Sequence, residues 1–253
     1  QLGAAIERVR AGVRSLPGVQ LIACHTIMKD EDADRAAEAL RGIDCQAIIC
    51  NFVSWHITPY AMRVLKNFRA TPILVWGIGG RTDESGKLDS PAAAAAVTAI
   101  VPLLKEMGYK YEVICEKPDE ELRLEDVQRF LRVAAAYEAV RNARIGLIGY
   151  ADMGLYSCAY DKTLAFDKLG VDIEDYFSYE ITAMMDAFSG EEVQRVVEEI
   201  KGEMAFENKI DDSVLAKVAR LYLAMRGKRE ARGLDAISIK CVCGVTGQMG
   251  FNP

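Results

Sequence analysis

Pro72-Ile-Leu-Val-Trp76 is an unbroken apolar run that enters Gly77-Ile-Gly-Gly-Arg81, and its reading decides the fold. A strand with one wet face alternates apolar and polar residues. A run without a polar position suits a strand buried on both faces of a parallel sheet. Outward from this run, related short segments rich in Val and Ile recur at 19–24, 46–52, 111–115, 144–148, 171–174 and 236–242. Longer stretches with helical spacing separate them, at 2–15, 32–41, 59–67, 91–107, 125–142, 160–169, 191–204 and 213–232. Alternating β and α units imply right-handed crossovers, so the fold class is α/β. The expected architecture is two Rossmann-like, doubly wound parallel-sheet domains, 1–142 and 143–253. The second reads as incomplete at its carboxyl end. It offers three strands, and the last runs into the glycine-rich Gly244-Val-Thr-Gly-Gln-Met-Gly250-Phe-Asn-Pro253, which resembles the opening of a loop into further polypeptide.

Helix punctuation agrees. Ser90 before Pro91 reads as an N-cap with proline at the first helical position, and Thr58 reads as the cap of the helix at 59–67. Ser189 with Glu192 three residues on has capping-box spacing. Gly108 and Gly170 follow helical runs, where a left-handed C-cap is favoured. Leu215, Val218, Ala219, Tyr222 and Met225 form an apolar stripe on the helix at 213–232.

The chain has 31 basic and 37 acidic residues, a formal net charge of −6. With no dense basic patch, nucleic acid is excluded as a partner on electrostatic grounds. The least charged stretch, 90–104, falls short of the roughly 20 apolar residues a membrane span needs, so no membrane role is expected. Seven cysteines at 24, 45, 50, 115, 158, 241 and 243 read as reduced thiols of a cytoplasmic protein, with Cys24, Cys50, Cys115 and Cys241 in the core. Cys241 and Cys243 lack the second Cys or His pair of a zinc motif.

Open parallel sheets bind ligands beyond the carboxyl ends of their strands, so the segments after strands carry the functional reading. Asn51-Phe-Val-Ser-Trp-His-Ile-Thr-Pro59 sets Trp55 as a stacking surface and His56 as a group titrating near neutrality, or else a seam residue and a solvated loop residue. Gly79 and Arg81 offer backbone amides and a forked cation, or else a flexible loop. They do not form a phosphate loop. Gly146-x-x-Gly149-x-x-x-x-Gly154 departs from the dinucleotide fingerprint and reads as a turn presenting Asp152 and Met153. Lys240 closes the last strand, either to hold a hydroxyl or an acidic group or as a snorkelling surface residue. Two histidines, His25 and His56, do not make a histidine-rich zinc site. Without a Gly-x-Ser-x-Gly elbow, an α/β-hydrolase is excluded.

Four stretches carry a resemblance: Ile48-Ile-Cys-Asn-Phe-Val-Ser-Trp55, Thr71-Pro-Ile-Leu-Val-Trp-Gly77, Arg144-Ile-Gly-Leu-Ile-Gly-Tyr-Ala-Asp-Met-Gly154, and Asp235-Ala-Ile-Ser-Ile-Lys-Cys241. In pattern and order the chain resembles the N-terminal and middle α/β domains of the L-fucose/L-arabinose isomerase-like family. The resemblance implies an aldose–ketose isomerase acting on a sugar, with Mn²⁺ or another divalent metal in the full-length protein. It also implies homo-oligomers, trimers or hexamers. The family's metal-binding Glu, Asp and His follow the strand that here ends at Lys240-Cys241, so no metal ligand is expected within 1–253. It further implies substrate contacts at Trp55, reaching a neighbouring subunit's site, at Met153, and at Gly79–Arg81. A two-lobed sugar-binding module without catalysis is the alternative.

Overall fold

A computed structural model describes residues 2–82, 84–118, 120–149 and 153–247. The chain divides into two compact units, Gln1–Glu138 and Ala139–Pro253. Both are α/β, each built on a parallel three-stranded sheet.

In the first unit the elements run α1 (Leu2–Ser15), α2 (Asp30–Ala39), β1 (Ile48–Phe52), α3 (Thr58–Leu65), β2 (Ile73–Ile78), β3 (Arg81–Thr82), β4 (Leu88–Asp89), α4 (Ala93–Glu106), β5 (Tyr111–Glu116) and α5 (Leu124–Arg141), whose last turn enters the second unit. The sheet order is β1-β2-β5, with Trp76 paired between Asn51 and Ile114. Every residue of β2 is buried, as the opening run requires. Because side chains alternate across a strand, Ile73 and Val75 meet Leu65, Ala96, Val97 and Ile100 of α3 and α4. Leu74, Trp76 and Ile78 meet Val9, Val13, Val127 and Phe130 of α1 and α5 on the other side. The two crossover helices share one face because successive right-handed crossovers advance in one direction.

The expected strand at 19–24 is irregular chain. Ile22 is 56% exposed and Cys24 is exposed. Strand propensity is a preference for a half-buried pleated surface, and no neighbouring strand provides one here. Cys24 instead accepts a hydrogen bond from Arg10 Nε at 2.9 Å. The cysteine reading needs the same correction. Cys115 and Cys241 are also exposed, Cys115 because it lies on the edge strand β5, and only Cys50 of the four is half-buried, where desolvation pushes its thiol up to about 12. Ser90 accepts from the Ala92 amide at 3.1 Å rather than capping a helix at Pro91. The helix starts at Ala93, after Ala92 has turned through φ +61°. Thr58 is the first residue of α3, not its cap; the N-cap position belongs to Ile57.

The second unit runs β6 (Arg144–Ile148), a 3₁₀ turn (Tyr156–Cys158), α6 (Lys162–Leu169), β7 (Asp172–Tyr176), α7 (Ser178–Met185), α8 (Gly190–Glu203), α9 (Asp212–Arg232), β8 (Ala236–Ile239) and a π-helical turn (Cys241–Thr246). β6 is the central strand, in the order β7-β6-β8. Ile148 and Tyr176 pack with Ile181 of α7 and Leu221 and Ala224 of α9. α9 is not a single stripe: Leu215, Ala219 and Leu223 pack separately with Val193, Val196 and Val197 of α8, while Tyr222 is 49% exposed. The capping box forms as spaced, with Ser189 Oγ accepting from Glu192 N and Glu192 Oε2 from Ser189 N. β8 stops at Ile239 instead of 242, because the chain coils into the π turn.

Ion pairs tie β6 and β7 to α9. Glu174 Oε1 accepts from Arg144 Nη2, and its Oε2 accepts from Tyr176 OH at 2.5 Å and Arg232 Nη2 at 3.0 Å. The hydrogen bonds from Tyr176, Arg232 and Arg144 hold the carboxyl at about 2. Lys228 Nζ lies 4.2 Å from the centroid of the Tyr176 ring and 2.5 Å from Glu180 Oε2.

Candidate functional site

Ligand chemistry in such sheets belongs at the strands' carboxyl ends. In the first unit Asn51 Nδ2 donates to Trp76 O at 3.0 Å, fixing the end of β1 against β2. The chain then turns, with Trp55 N donating to Pro91 O at 2.6 Å, and leaves the Trp55 side chain 57% exposed. The indole is thus an open flat surface on a backbone held at one point.

His56 is neither solvated nor free. It is half-buried, with ring centroids 5.4 Å from Phe52 and 6.0 Å from Tyr60, both edge-on. Its Nε2 accepts from Ala61 N at 3.1 Å, which places the proton of the neutral ring on Nδ1 and uses the imidazole to hold the start of α3. Desolvation pushes His56 below its ordinary value of 6.5. The folded state therefore binds fewer protons there than the unfolded one. The stabilisation is full above that ordinary value and is lost as pH falls toward the depressed one. His56→Gln is expected to flatten the fall in first-unit stability between about pH 7 and pH 5, read by urea unfolding at each pH; an unchanged slope would refute this role.

The glycine loop is a hairpin rather than a featureless excursion: β3 and β4 pair antiparallel, Arg81 opposite Asp89. Gly79 N donates to Glu116 O at 2.6 Å. Glu116, at the carboxyl end of β5, is a carboxylate that sequence reasoning passed over. It is 4% exposed, its Oε1 accepts from Arg123 N at 2.6 Å where α5 begins, and Oε2 has no partner among the described residues. The available signal was a charged residue directly after the apolar Val113-Ile-Cys115. A shallow groove lined by Glu125, Gln128, Arg129, Arg132 and Val133 lies along α5.

In the second unit the strand ends gather Gly149, Ser178 and Lys240. A β-carbon on Gly149 would stand 2.9 Å from Lys240 Cβ and 3.4 Å from both Lys240 Cδ and Ser178 Oγ, and φ there is +86°. Lys240 N donates to Ile148 O at 2.9 Å, extending the ladder by one residue. Phe177 and Tyr179, each 67% exposed, stack at 5.6 Å and 17°. Met153 sits in a left-handed turn at φ +53° and is 54% exposed; Asp152 lies outside the described residues. Ser178 is the first residue of α7, after Phe177 at the N-cap position, and no sequence signal marked the ring pair. Glu180 accepts from Phe177 N at 3.1 Å, across the start of α7.

No family model matches the chain. It is 21% identical over 235 residues to a sulfoquinovose isomerase of Priestia aryabhattai and to one of Priestia megaterium. The matches cover 86% of this chain and 50% of each relative, so the chain spans about half the length of the curated relatives it matches.

Among the described residues no group of three or more His, Cys, Asp or Glu side chains is placed to hold a metal ion, and no helix is long and apolar enough to cross a membrane. In the second unit three carboxylates are paired with cations: Glu174 with Arg144 and Arg232, Glu180 with Lys228, and Asp175 with Lys162.

Proposed function

We propose that the chain is part of a sugar isomerase that interconverts an aldose and a ketose, of the L-fucose/L-arabinose isomerase-like type. The similarity to two sulfoquinovose isomerases across 86% of the chain, running through both α/β units, supports a sugar isomerase; the L-fucose/L-arabinose type rests on the resemblance of the four stretches quoted above. The reading includes a cytoplasmic homo-oligomer and a divalent metal, manganese or another. The described residues do not fit that metal, having no converging donor set. No step runs through it.

These units bind and orient the sugar. In the first unit the exposed indole of Trp55 is the stacking surface for an apolar sugar face, with Gly79 and Arg81 as further contacts. In the second unit, taken by itself, Lys240 and Met153 are the candidate contacts. His56 belongs to this surface as a neutral ring that fixes the Trp55 turn against α3, because its Nε2 is already bonded. Proton transfer between carbons 1 and 2 needs a group within hydrogen-bond reach of the substrate and titrating near the working pH, which a bonded, depressed imidazole does not provide.

Thermal melting of the full-length protein with a panel of aldoses, Mn²⁺ and NAD tests the proposal. Stabilisation by sugar that grows when Mn²⁺ is present is expected. Stabilisation by NAD alone would refute it, and stabilisation by sugar indifferent to metal would favour the two-lobed binding module.

A further inference from the structure

The order β7-β6-β8 makes the carboxyl end of β6 a switch point: the chain leaves β6 toward β7 on one side, and β8 returns on the other. Crevices at such points are where open α/β sheets take ligands. The residues gathered there are Gly149, Ser178 and Lys240. From the geometry of these three we infer an oxyanion subsite, in which the Lys240 ammonium and the Ser178 hydroxyl hold the sulfonate or phosphate of an acidic sugar. The inference rests on the sugar reading above and narrows its substrate class.

Three observations carry it. The first is charge. Most of the other cations near this sheet are spent, Arg144 and Arg232 on Glu174, Lys228 on Glu180, and Lys162 on Asp175. Lys240 is half-buried and has no hydrogen-bond or ion-pair partner among the described residues. A cation without a counter-ion in the protein is open to pairing with a bound anion.

The second is space. Gly149 and Gly244 both stand against the Lys240 stem, whose Cβ a β-carbon would meet at 2.9 Å and 3.3 Å respectively. Two glycines flank the stem where any side chain would crowd it, so the lysine emerges between bare backbone segments. The Ser178 hydroxyl, which borders the same Gly149 position at 3.4 Å, makes no hydrogen bond among the described residues.

The third is shape. A lysine is a compact point charge with three rotatable donors and binds phosphate-like oxyanions in that way. Ser178 lies between Phe177 and Tyr179 in the chain. One three-residue segment thus sets a hydroxyl beside Gly149 and two stacked rings at the surface. The rings offer the apolar faces that sugar sites combine with a few placed polar groups.

Calorimetric titration of the full-length protein with sulfoquinovose, glucose 6-phosphate, glucose and inorganic sulfate tests the subsite. Sulfoquinovose and glucose 6-phosphate are expected to bind about tenfold or more tighter than glucose at low salt, and the stronger of the two names the anion. Lys240→Met is expected to weaken the acidic sugars about ten- to a hundredfold and leave glucose unchanged, with most of the loss recovered by Lys240→Arg. Retained glucose affinity doubles as the check that the variant is folded. Acidic sugars binding Lys240→Met as they bind the parent, or glucose losing affinity equally, would overturn the subsite, as would a parent protein that binds none of the four. If sulfate binds with the same lysine dependence while no sugar binds, the sugar reading fails and the oxyanion subsite stands.

Discussion

Trp76→Ala is expected to cost the first unit about 3–5 kcal/mol, the range for a large aromatic removed from a packed core. Trp76 is fully buried at the middle of β2, paired on both sides, and fills the layer between the sheet and helices α1 and α5. The indole also carries a liability: its Nε1 proton has no acceptor among the described residues. An orphaned buried donor costs about 1–3 kcal/mol, so part of what burial gains is lost at that one atom. Trp76→Phe removes the donor and keeps most of the ring. It is expected to cost less than half as much as alanine, because the smaller cavity is offset by the vanished N–H. Urea unfolding followed by circular dichroism decides it, since the parent's fluorescence comes from two tryptophans of opposite exposure. Equal losses for Ala and Phe would mean that the indole proton has a partner after all.

The same strand shows why so much of the fold was legible. An apolar run with no polar break has one stable setting, between two helical layers, and β2 takes it. Glycines after helices were equally readable, because a left-handed residue ends a helix at little cost only without a β-carbon. Both Gly108 and Gly170 take positive φ. The run at 19–24 failed because hydrophobicity specifies burial, and a strand also needs a partner edge, which is a non-local fact. Tyr222 failed similarly: spacing placed it on the apolar stripe, but α9 packs on α7 and on α8 along two different lines.

At the strand ends, composition revealed where polar groups gather but not what they bond. His56 was readable as a titrating group, yet its acceptor nitrogen is consumed by Ala61 N, five residues along the chain. Glu116 was invisible because a glutamate after a strand is normally solvated, and only the fold closes over it. Lys240 shows the reverse. Its position at a strand end was plain, whereas its lack of a hydrogen-bond or ion-pair partner among the described residues emerges only from the fold.

Gly170→Ala is expected to be the most damaging glycine substitution in the second unit, at about 2–5 kcal/mol. Two costs add. Gly170 ends α6 at φ +78°, with its amide donating to Phe166 O at 2.8 Å, and a left-handed alanine costs about 1–2 kcal/mol. A β-carbon would also stand 2.7 Å from Arg141 O and 3.0 Å from Arg141 Cα, at the end of α5. Those are backbone atoms of a helix, so no rotamer relieves the overlap, and crowding of this kind adds about 1–3 kcal/mol. Gly233 isolates the first cost. It caps α9 at φ +61°, and the nearest atom to its β-position is Arg144 Nη1 at 3.8 Å, so Gly233→Ala meets strain without collision. It should lose only about 1–2 kcal/mol. The two variants compared by urea unfolding separate backbone strain from steric overlap. Were Gly170→Ala no worse than Gly233→Ala, the close approach of α6 to the end of α5 would not be a feature of the folded protein.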